Sequence, residues 1–124
     1  MKNTICIALL ACALVVTPFA SLAHHSHGNY DIREYTELEG TVAGYIWINP
    51  HVWVHLEVDD GEGGTVIWAM EGGSINELSK KGWAKDSLQK GDKISARCHP
   101  LRDGARGCLL GYITPEGGEE RVFD

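Results

Sequence analysis

The fold is decided by one stretch, Ile46-Trp47-Ile48-Asn49-Pro50-His51-Val52-Trp53-Val54-His55-Leu56-Glu57-Val58. Its second half alternates strictly, which predicts a strand with one buried face. The predicted buried face carries Val52, Val54, Leu56 and Val58, and the opposite face carries His51, Trp53, His55 and Glu57. Because proline lacks a backbone donor and restricts the residue before it, Asn49-Pro50 predicts a tight turn or bend between two strands.

The sequence on either side of this stretch predicts further strands and one short helix. A capping box at Ser74 and Glu77 starts the helix, Gly82 ends it in a left-handed cap, and Trp83 packs its end onto the sheet. The expected strands are 38–48, 51–58, 65–71, 93–99 and 108–113, with a last edge strand at 121–123. Three strands, a helix and two strands is the order of a five- to six-stranded OB-like barrel. A small β-sandwich is the alternative.

Side-chain alternation also predicts the two faces of the long first strand. Val42, Ile46 and Ile48 are expected on one face, and Thr41, Tyr45 and Trp47 on the other. Gly40 and Gly44 indicate bulges or strong coiling. Trp47 and Trp68 are assigned to the core, because a barrel of this size needs large apolar groups.

The beginning of the chain has the features of a signal peptide for export. Residues 1–23 combine Lys2, a short apolar run and a cleavage site at Ser21-Leu22-Ala23, which predicts a periplasmic or secreted protein with no membrane span after cleavage. A lipoprotein with its lipid on Cys12 is the rival interpretation. The expected mature chain has a flexible His-rich arm at 24–36 and a barrel domain at 37–124.

Charge and cysteine content narrow the functional classes. Cleavage of the leader removes Lys2 from the 11 Lys and Arg residues, so the mature chain has 10 basic and 17 acidic residues. This negative net charge argues against nucleic acid as a partner. Of the cysteines, Cys98 and Cys108 remain after cleavage, and two cysteines in an exported chain usually form a disulfide. A metal site of Cys98, His99 and Cys108 is the alternative.

Motifs along the mature chain resemble an exported bacterial family known only as a domain of unknown function (domain of unknown function 6152). The matching elements are His24-His25-Ser26, Leu38-Glu39-Gly40-Thr41-Val42, Trp47-Ile48-Asn49-Pro50-His51, Trp68-Ala69-Met70-Glu71, Leu78 with Gly82-Trp83, Gly91-Asp92, and Pro100 with Asp103-Gly104. The resemblance implies a periplasmic β-barrel-like domain and no established activity. The cysteine pair is not part of the family pattern.

Histidines at the predicted cleavage site indicate metal binding. His24 would carry both a free α-amine and an imidazole, and a further imidazole from His25, His27 or His51 would complete a nitrogen set suited to Cu(II). His51 is favoured because the bend fixes its backbone, although a histidine bonded to a backbone carbonyl is the structural alternative. The sequence therefore predicts a non-enzymatic periplasmic protein that binds a metal, with copper as the expected cofactor.

Two other functions remain open at this point. An OB-type module could hold a small ligand, peptide, glycan or periplasmic partner protein on an outer face containing Tyr45, Trp53 and His55. For His55, a partly buried histidine stacked on Trp53 is the simpler interpretation. A copper redox enzyme is the third hypothesis, because an N-terminal histidine with an open coordination position can activate oxygen.

Overall fold

The computed structural model describes residues 27–124, and it contains six strands and one α-helix. A 3-10 turn at His27–Asn29 precedes them. In chain order the elements are β1 (Thr36–Ile46), β2 (Trp53–Asp59), β3 (Thr65–Glu71), α1 (Ile75–Lys80), β4 (Lys93–Pro100), β5 (Gly107–Pro115) and β6 (Arg121–Val122). The bounds of β3 are those predicted, and the other strands begin and end within two residues of their predicted positions.

The strands form a closed barrel of five strands with β6 added at its side. The hydrogen-bonded order is β3-β2-β1-β4-β5-β6, and a parallel pairing of β3 with β5 closes the barrel. Helix α1 lies between β3 and β4, as the sequence predicted. The expectation of a mainly β, OB-like barrel is confirmed.

The barrel interior is filled by the alternating apolar residues of the strands. Val52, Val54 and Leu56 have no exposed surface, which confirms the predicted buried face of the second strand. Trp47 and Trp68 pack against the same core cluster, as predicted. Further core side chains come from β1, β3, β4, β5, the helix and the loops, and they include Val42, Met70, Leu78, Trp83, Leu88, Ile94, Ala96, Leu110, Ile113 and Phe123.

The face prediction for the first strand was wrong beyond Val42. The pairing of β1 with β2 shifts register between Val42 and Gly44, which marks a β-bulge. Because a bulge adds one residue to one strand, it reverses the alternation that follows it. Tyr45 is therefore on the buried side with Val54, while Ile46 is on the outer side with Trp53.

The helix and the disulfide both match their predictions. Ser74 and Glu77 form a complete capping box, and Gly82 adopts a φ of 82° after the helix. The buried Trp83 indole donates to the carbonyl oxygen of Val122 at 2.7 Å, which fastens the end of the helix to β6. Cys98 and Cys108 are joined by a disulfide with a Cα separation of 5.6 Å.

Within residues 27–124, no helix is long and apolar enough to cross a membrane.

Candidate functional site

His51 lies at the bend between β1 and β2, where the Asn49–Pro50 peptide bond is cis. The bend is tied to the start of the helix, because the Asn49 side-chain oxygen accepts a hydrogen bond from the Ile75 amide at 3.1 Å. The backbone amide of Val52 donates to the Gly73 carbonyl at 3.0 Å. These bonds hold the backbone on both sides of His51 against the connection from β3 to the helix.

The His51 ring is oriented by two acceptors at its Nδ1 atom. The carbonyl oxygen of Gly72 lies 3.1 Å from Nδ1, and the Oε1 atom of Glu71 lies 3.2 Å from it. Since both neighbours only accept hydrogen bonds, Nδ1 carries the hydrogen. In the neutral ring, Nε2 is then the nitrogen with the lone pair that a metal ion or a proton donor requires.

Glu71 also holds the segment before the first strand. Its Oε2 atom accepts a hydrogen bond from the Tyr30 hydroxyl, although the two residues are 41 positions apart in sequence. Tyr30 is buried, with 8% of its surface exposed. Burial, followed by the hydrogen bond to Glu71, raises the pKa of the Tyr30 hydroxyl far above its ordinary value, so this group remains a donor.

A pocket of about 570 Å³ borders His51 and the start of the helix. His27 lines the same pocket, so two of the histidines predicted to bind metal are brought together. The other lining residues are Asn49, Pro50, Gly72, Gly73, Ser74, Asn76, Glu77 and Asp124. This pocket, with Tyr30, His51 and Glu71, is called the rim site below.

The remaining predicted metal ligands fall outside the described part of the chain. His24 and His25 lie among residues 1–26, which the structure does not describe. Among residues 27–124, no group of three or more His, Cys, Asp or Glu side chains is arranged to hold a metal ion. Any complete nitrogen set at the rim site would therefore need ligands from the undescribed segment.

The residues predicted to bind a ligand on the outer face are divided between the two faces of the sheet. The Tyr45 hydroxyl donates to the Ala84 carbonyl at 3.0 Å, and the ring packs against the core. Trp53 and His55 are on the outer face, half-buried, and His55 lies over Gly44. The outer face therefore has one aromatic side chain fewer than the sequence predicted.

A second histidine environment lies on the outer side of β4 and β5. Nδ1 of His99 is 2.6 Å from the Glu34 carbonyl oxygen, and its ring centroid is 4.1 Å from that of Tyr35. The Arg97 guanidinium lies over the rings of Tyr35 and Tyr112. Tyr35, Arg97, His99 and Tyr112 are called the β4–β5 face below.

Sequence reasoning did not identify Tyr30 and Glu71 as parts of the site. A signal for Glu71 existed, because the end of the third strand must pair with the start of the second, and Glu71 does pair with Trp53. That register places the carboxylate beside the bend. Nothing in the local sequence around Tyr30 points to Glu71, since their contact depends on the closed barrel.

The geometry defines a small OB-like barrel domain with a histidine held at its rim by a carboxylate. The chain belongs to the Family of unknown function (DUF6152), whose family model matches residues 11–110. This match confirms the resemblance drawn from the sequence motifs. No curated protein and no solved structure shows significant similarity to the chain.

Proposed function

We propose that this is an exported, non-enzymatic metal-binding protein that holds Cu(II) at the rim site. The ligands are the α-amine and imidazole of His24 in the mature chain together with Nε2 of His51, and His25 and His27 are candidate further ligands. An amine and imidazoles form the nitrogen set that Cu(II) prefers. The observation that carries the proposal is that His27 and His51 line one pocket while the hydrogen on His51 is held at Nδ1.

Chain length permits His24 to reach this pocket. His24 precedes His27 by three residues, and an extended chain covers at most about 3.3–3.6 Å per residue, or roughly 10 Å. His27 is itself a lining residue of the pocket. A copper ion bound at a mature N-terminus can therefore also meet His51, provided that cleavage follows Ala23.

The carboxylate behind His51 supports the same proposal. Metal-binding histidines commonly donate their second ring hydrogen to a carboxylate or a backbone carbonyl, which fixes the tautomer and increases the basicity of the ligating nitrogen. His51 has one acceptor of each kind, in Glu71 and Gly72. The β4–β5 face offers His99 a carbonyl oxygen and an aromatic ring instead.

Copper titration of the exported and processed protein tests this proposal. Mass spectrometry first establishes that the chain begins at His24, and Cu(II) binding is then followed by electron paramagnetic resonance. His24→Ala and His51→Ala should each weaken binding by more than the roughly 10–100-fold that is typical of losing only an outer-shell partner. His99→Ala is the matched control and should bind like the wild type.

Two results would overturn the proposal. One is a correctly processed protein that ignores micromolar Cu(II). The other is a His51→Ala variant with the copper affinity and the nitrogen hyperfine pattern of the wild type.

A second candidate function rests on the outer face of β1, β2 and β3. Trp53 is half-buried there beside Ile46, and Ile67 on the same face is 48% exposed. Such a surface suits a peptide, a glycan or a partner protein. Saturable quenching of tryptophan fluorescence by a ligand in the presence of chelator, absent in Trp53→Phe, would support this function; no quenching by peptides or glycans would count against it.

A further inference from the structure

The edge strand β6 is covered by the segment that follows the helix. The Val122 carbonyl oxygen accepts a hydrogen bond from the Trp83 indole at 2.7 Å, and the Arg121 guanidinium donates to the Gly82 carbonyl at 2.9 Å. The same guanidinium lies 3.8 Å from the centroid of the Trp83 ring. Native proteins commonly cover an edge in this way, because its backbone groups can otherwise pair with another chain.

The first half of β3 forms an edge that is not covered by another strand. β3 pairs with β5 only through residues 69–71, so the pairing that closes the barrel does not extend to residues 65–68. Within residues 27–124, no strand pairs with residues 65–68 on the side away from β2. Residues 65–68 are called the open edge below.

Backbone hydrogen-bonding groups point outward from the open edge. The Ala69 amide donates to the Arg106 carbonyl at 3.1 Å, on the side away from β2. Because the backbone groups of alternate residues in a strand point to the same side, those of Thr65 and Ile67 point that way too. Thr65 is exposed and Ile67 is 48% exposed, so another chain can approach these groups.

The open edge lacks the features that usually protect an edge strand. Its sequence is Thr65-Val66-Ile67-Trp68, which contains no proline and no charged residue. Such β-branched and aromatic residues favour strand pairing. Every residue of β3 pairs with β2 without a register shift, so no bulge turns the strand away from a partner. The open edge is therefore a regular strand that can accept another strand.

The charges at the two ends of the open edge favour a second copy of the chain as its partner. Asp60 and Glu62 are exposed in the turn before β3, and Arg106 is exposed at the other end, beside Ala69. Two identical edges in antiparallel orientation bring the acidic turn of each copy to the Arg106 of the other. A two-fold axis makes both contacts at once, whereas parallel pairing places like charges together.

We propose that two copies of the protein pair antiparallel along their open edges and form a two-fold symmetric dimer. Thr65 of each copy exchanges backbone hydrogen bonds with Ile67 of the other, and Val66 lies at the two-fold axis. Because the paired segment is short, the association is weak and depends on protein concentration. The dimer is independent of the metal proposal, since no residue of the open edge lines the rim pocket.

Sedimentation velocity of the processed protein, in the presence of a chelator, tests this pairing. The sedimenting mass should rise from that of one chain to that of two as the protein concentration is raised, and amide hydrogen exchange at Thr65 and Ile67 should slow. Ile67→Pro removes an outward donor but no bond to β2, so it should abolish the dimer. Ile67→Thr keeps the donor and should retain the dimer. Circular dichroism establishes that both variants are folded.

Charge reversal tests the antiparallel arrangement in variants that leave β3 unchanged. Glu62→Lys and Arg106→Glu each place like charges together in the dimer, so each alone should weaken association by at least about tenfold. An equimolar mixture of the two should dimerise again, because every contact then joins opposite charges. Glu119→Lys, the same change in the exposed turn between β5 and β6, is the matched control and should dimerise like the wild type.

Three results would overturn this inference. One is a wild-type protein that stays monomeric at every concentration, which would leave the open edge to a strand of a different protein. Another is a folded Ile67→Pro variant that still dimerises, or that loses no more association than Ile67→Thr, because backbone pairing at the open edge would then not hold the dimer. The third is an equimolar mixture of Glu62→Lys and Arg106→Glu that remains monomeric.

Discussion

The rim site and the β4–β5 face each contain a histidine whose Nδ1 faces a backbone carbonyl, but the surroundings differ. At the β4–β5 face, His99 stacks on Tyr35, and Arg97 forms two hydrogen bonds of 2.8 Å with Glu120. At the rim site, the carboxylate of Glu71 acts on His51 beside a pocket. The comparison teaches that a carboxylate and a neighbouring cavity, rather than a fixed imidazole alone, distinguish a candidate ligand from a structural histidine.

The largest expected effect concerns the disulfide that links the two strands of the β4–β5 face. Cys98 and Cys108 are ten positions apart, and closing a loop of that length stabilises a chain by about 3 kcal/mol in the loop-entropy model. The double variant Cys98→Ala/Cys108→Ala should therefore lose at least about that much free energy of unfolding, measured by urea denaturation. Under the proposed function, copper affinity of the folded variant should be unchanged.

Reduction of the wild-type protein is the control for this variant, because it breaks the bond and keeps both buried side chains. If the folded double variant, which has no thiol to react with copper, bound Cu(II) more weakly than the wild type, the two regions would not be independent. The comparison between them would then have to be abandoned.

A second prediction compares the tyrosines of the two regions at alkaline pH. The pKa values of Tyr30 and Tyr35 are both raised, in each case first by burial, but Tyr30 is 8% exposed and Tyr35 is 47% exposed. Because the pKa of each hydroxyl is higher in the folded than in the unfolded chain, the protonated hydroxyl stabilises the fold. This contribution is complete below the ordinary pKa of 10.0 and is lost as the pH rises above it. The free energy of unfolding should fall there at up to about 1.4 kcal/mol per pH unit for the Tyr30 proton, and less steeply for the Tyr35 proton, because solvent screens that half-exposed hydroxyl.

Urea unfolding from about pH 8 to about pH 11 measures this slope. Tyr30→Phe should flatten the alkaline loss more than Tyr35→Phe does, because the Tyr30 hydroxyl is the more enclosed of the two. If the two variants had equal slopes, the Tyr30 hydroxyl, with its contact to Glu71, would contribute no more to the alkaline loss of stability than the exposed Tyr35 hydroxyl does.

The sequence predicted the part of the site that is formed by the bend and by β2. Strict alternation placed Val52, Val54 and Leu56 inside, and the proline before His51 placed that histidine at a bend. The helix start was equally predictable, since a capping box is a local pattern of four residues.

Two features were missed, each for a physical reason. Gly40 and Gly44 indicated bulges or strong coiling, and a bulge does lie between Val42 and Gly44, but the face assignment of β1 followed plain alternation and so left out the reversal that an extra residue causes. Tyr30 and Glu71 are 41 positions apart in sequence. They meet only because Tyr30 pairs with Leu101 in the loop between β4 and β5, which lies near the end of β3 in the closed barrel. Local patterns contain no information about such a contact.

A third prediction concerns the bond that ties the bend to the helix. Asn49→Ala removes the acceptor for the Ile75 amide and should cost about 1 kcal/mol in the free energy of unfolding. Because His51 follows two residues later, Cu(II) binding should weaken as well. Asn76→Ala changes the same residue type at the edge of the same pocket, and because Asn76 is not a proposed ligand, this control should leave Cu(II) binding unchanged and raise the free energy of unfolding by at most about 0.7 kcal/mol through helix propensity. Wild-type copper affinity in Asn49→Ala would indicate that the bend is not needed to position His51.

The smallest expected effect is on the ion pair of the β4–β5 face. Arg97 and Glu120 are bidentate at 2.8 Å, but their side chains are 35% and 42% exposed, so solvent screens the pair. Glu120→Gln should change the free energy of unfolding only slightly, and less still at high salt. Copper affinity should remain that of the wild type, because Glu120 is not among the residues that line the rim pocket. A copper defect in Glu120→Gln as large as that of His51→Ala would mean that negative charge anywhere on the barrel, rather than the geometry around His51, attracts the metal.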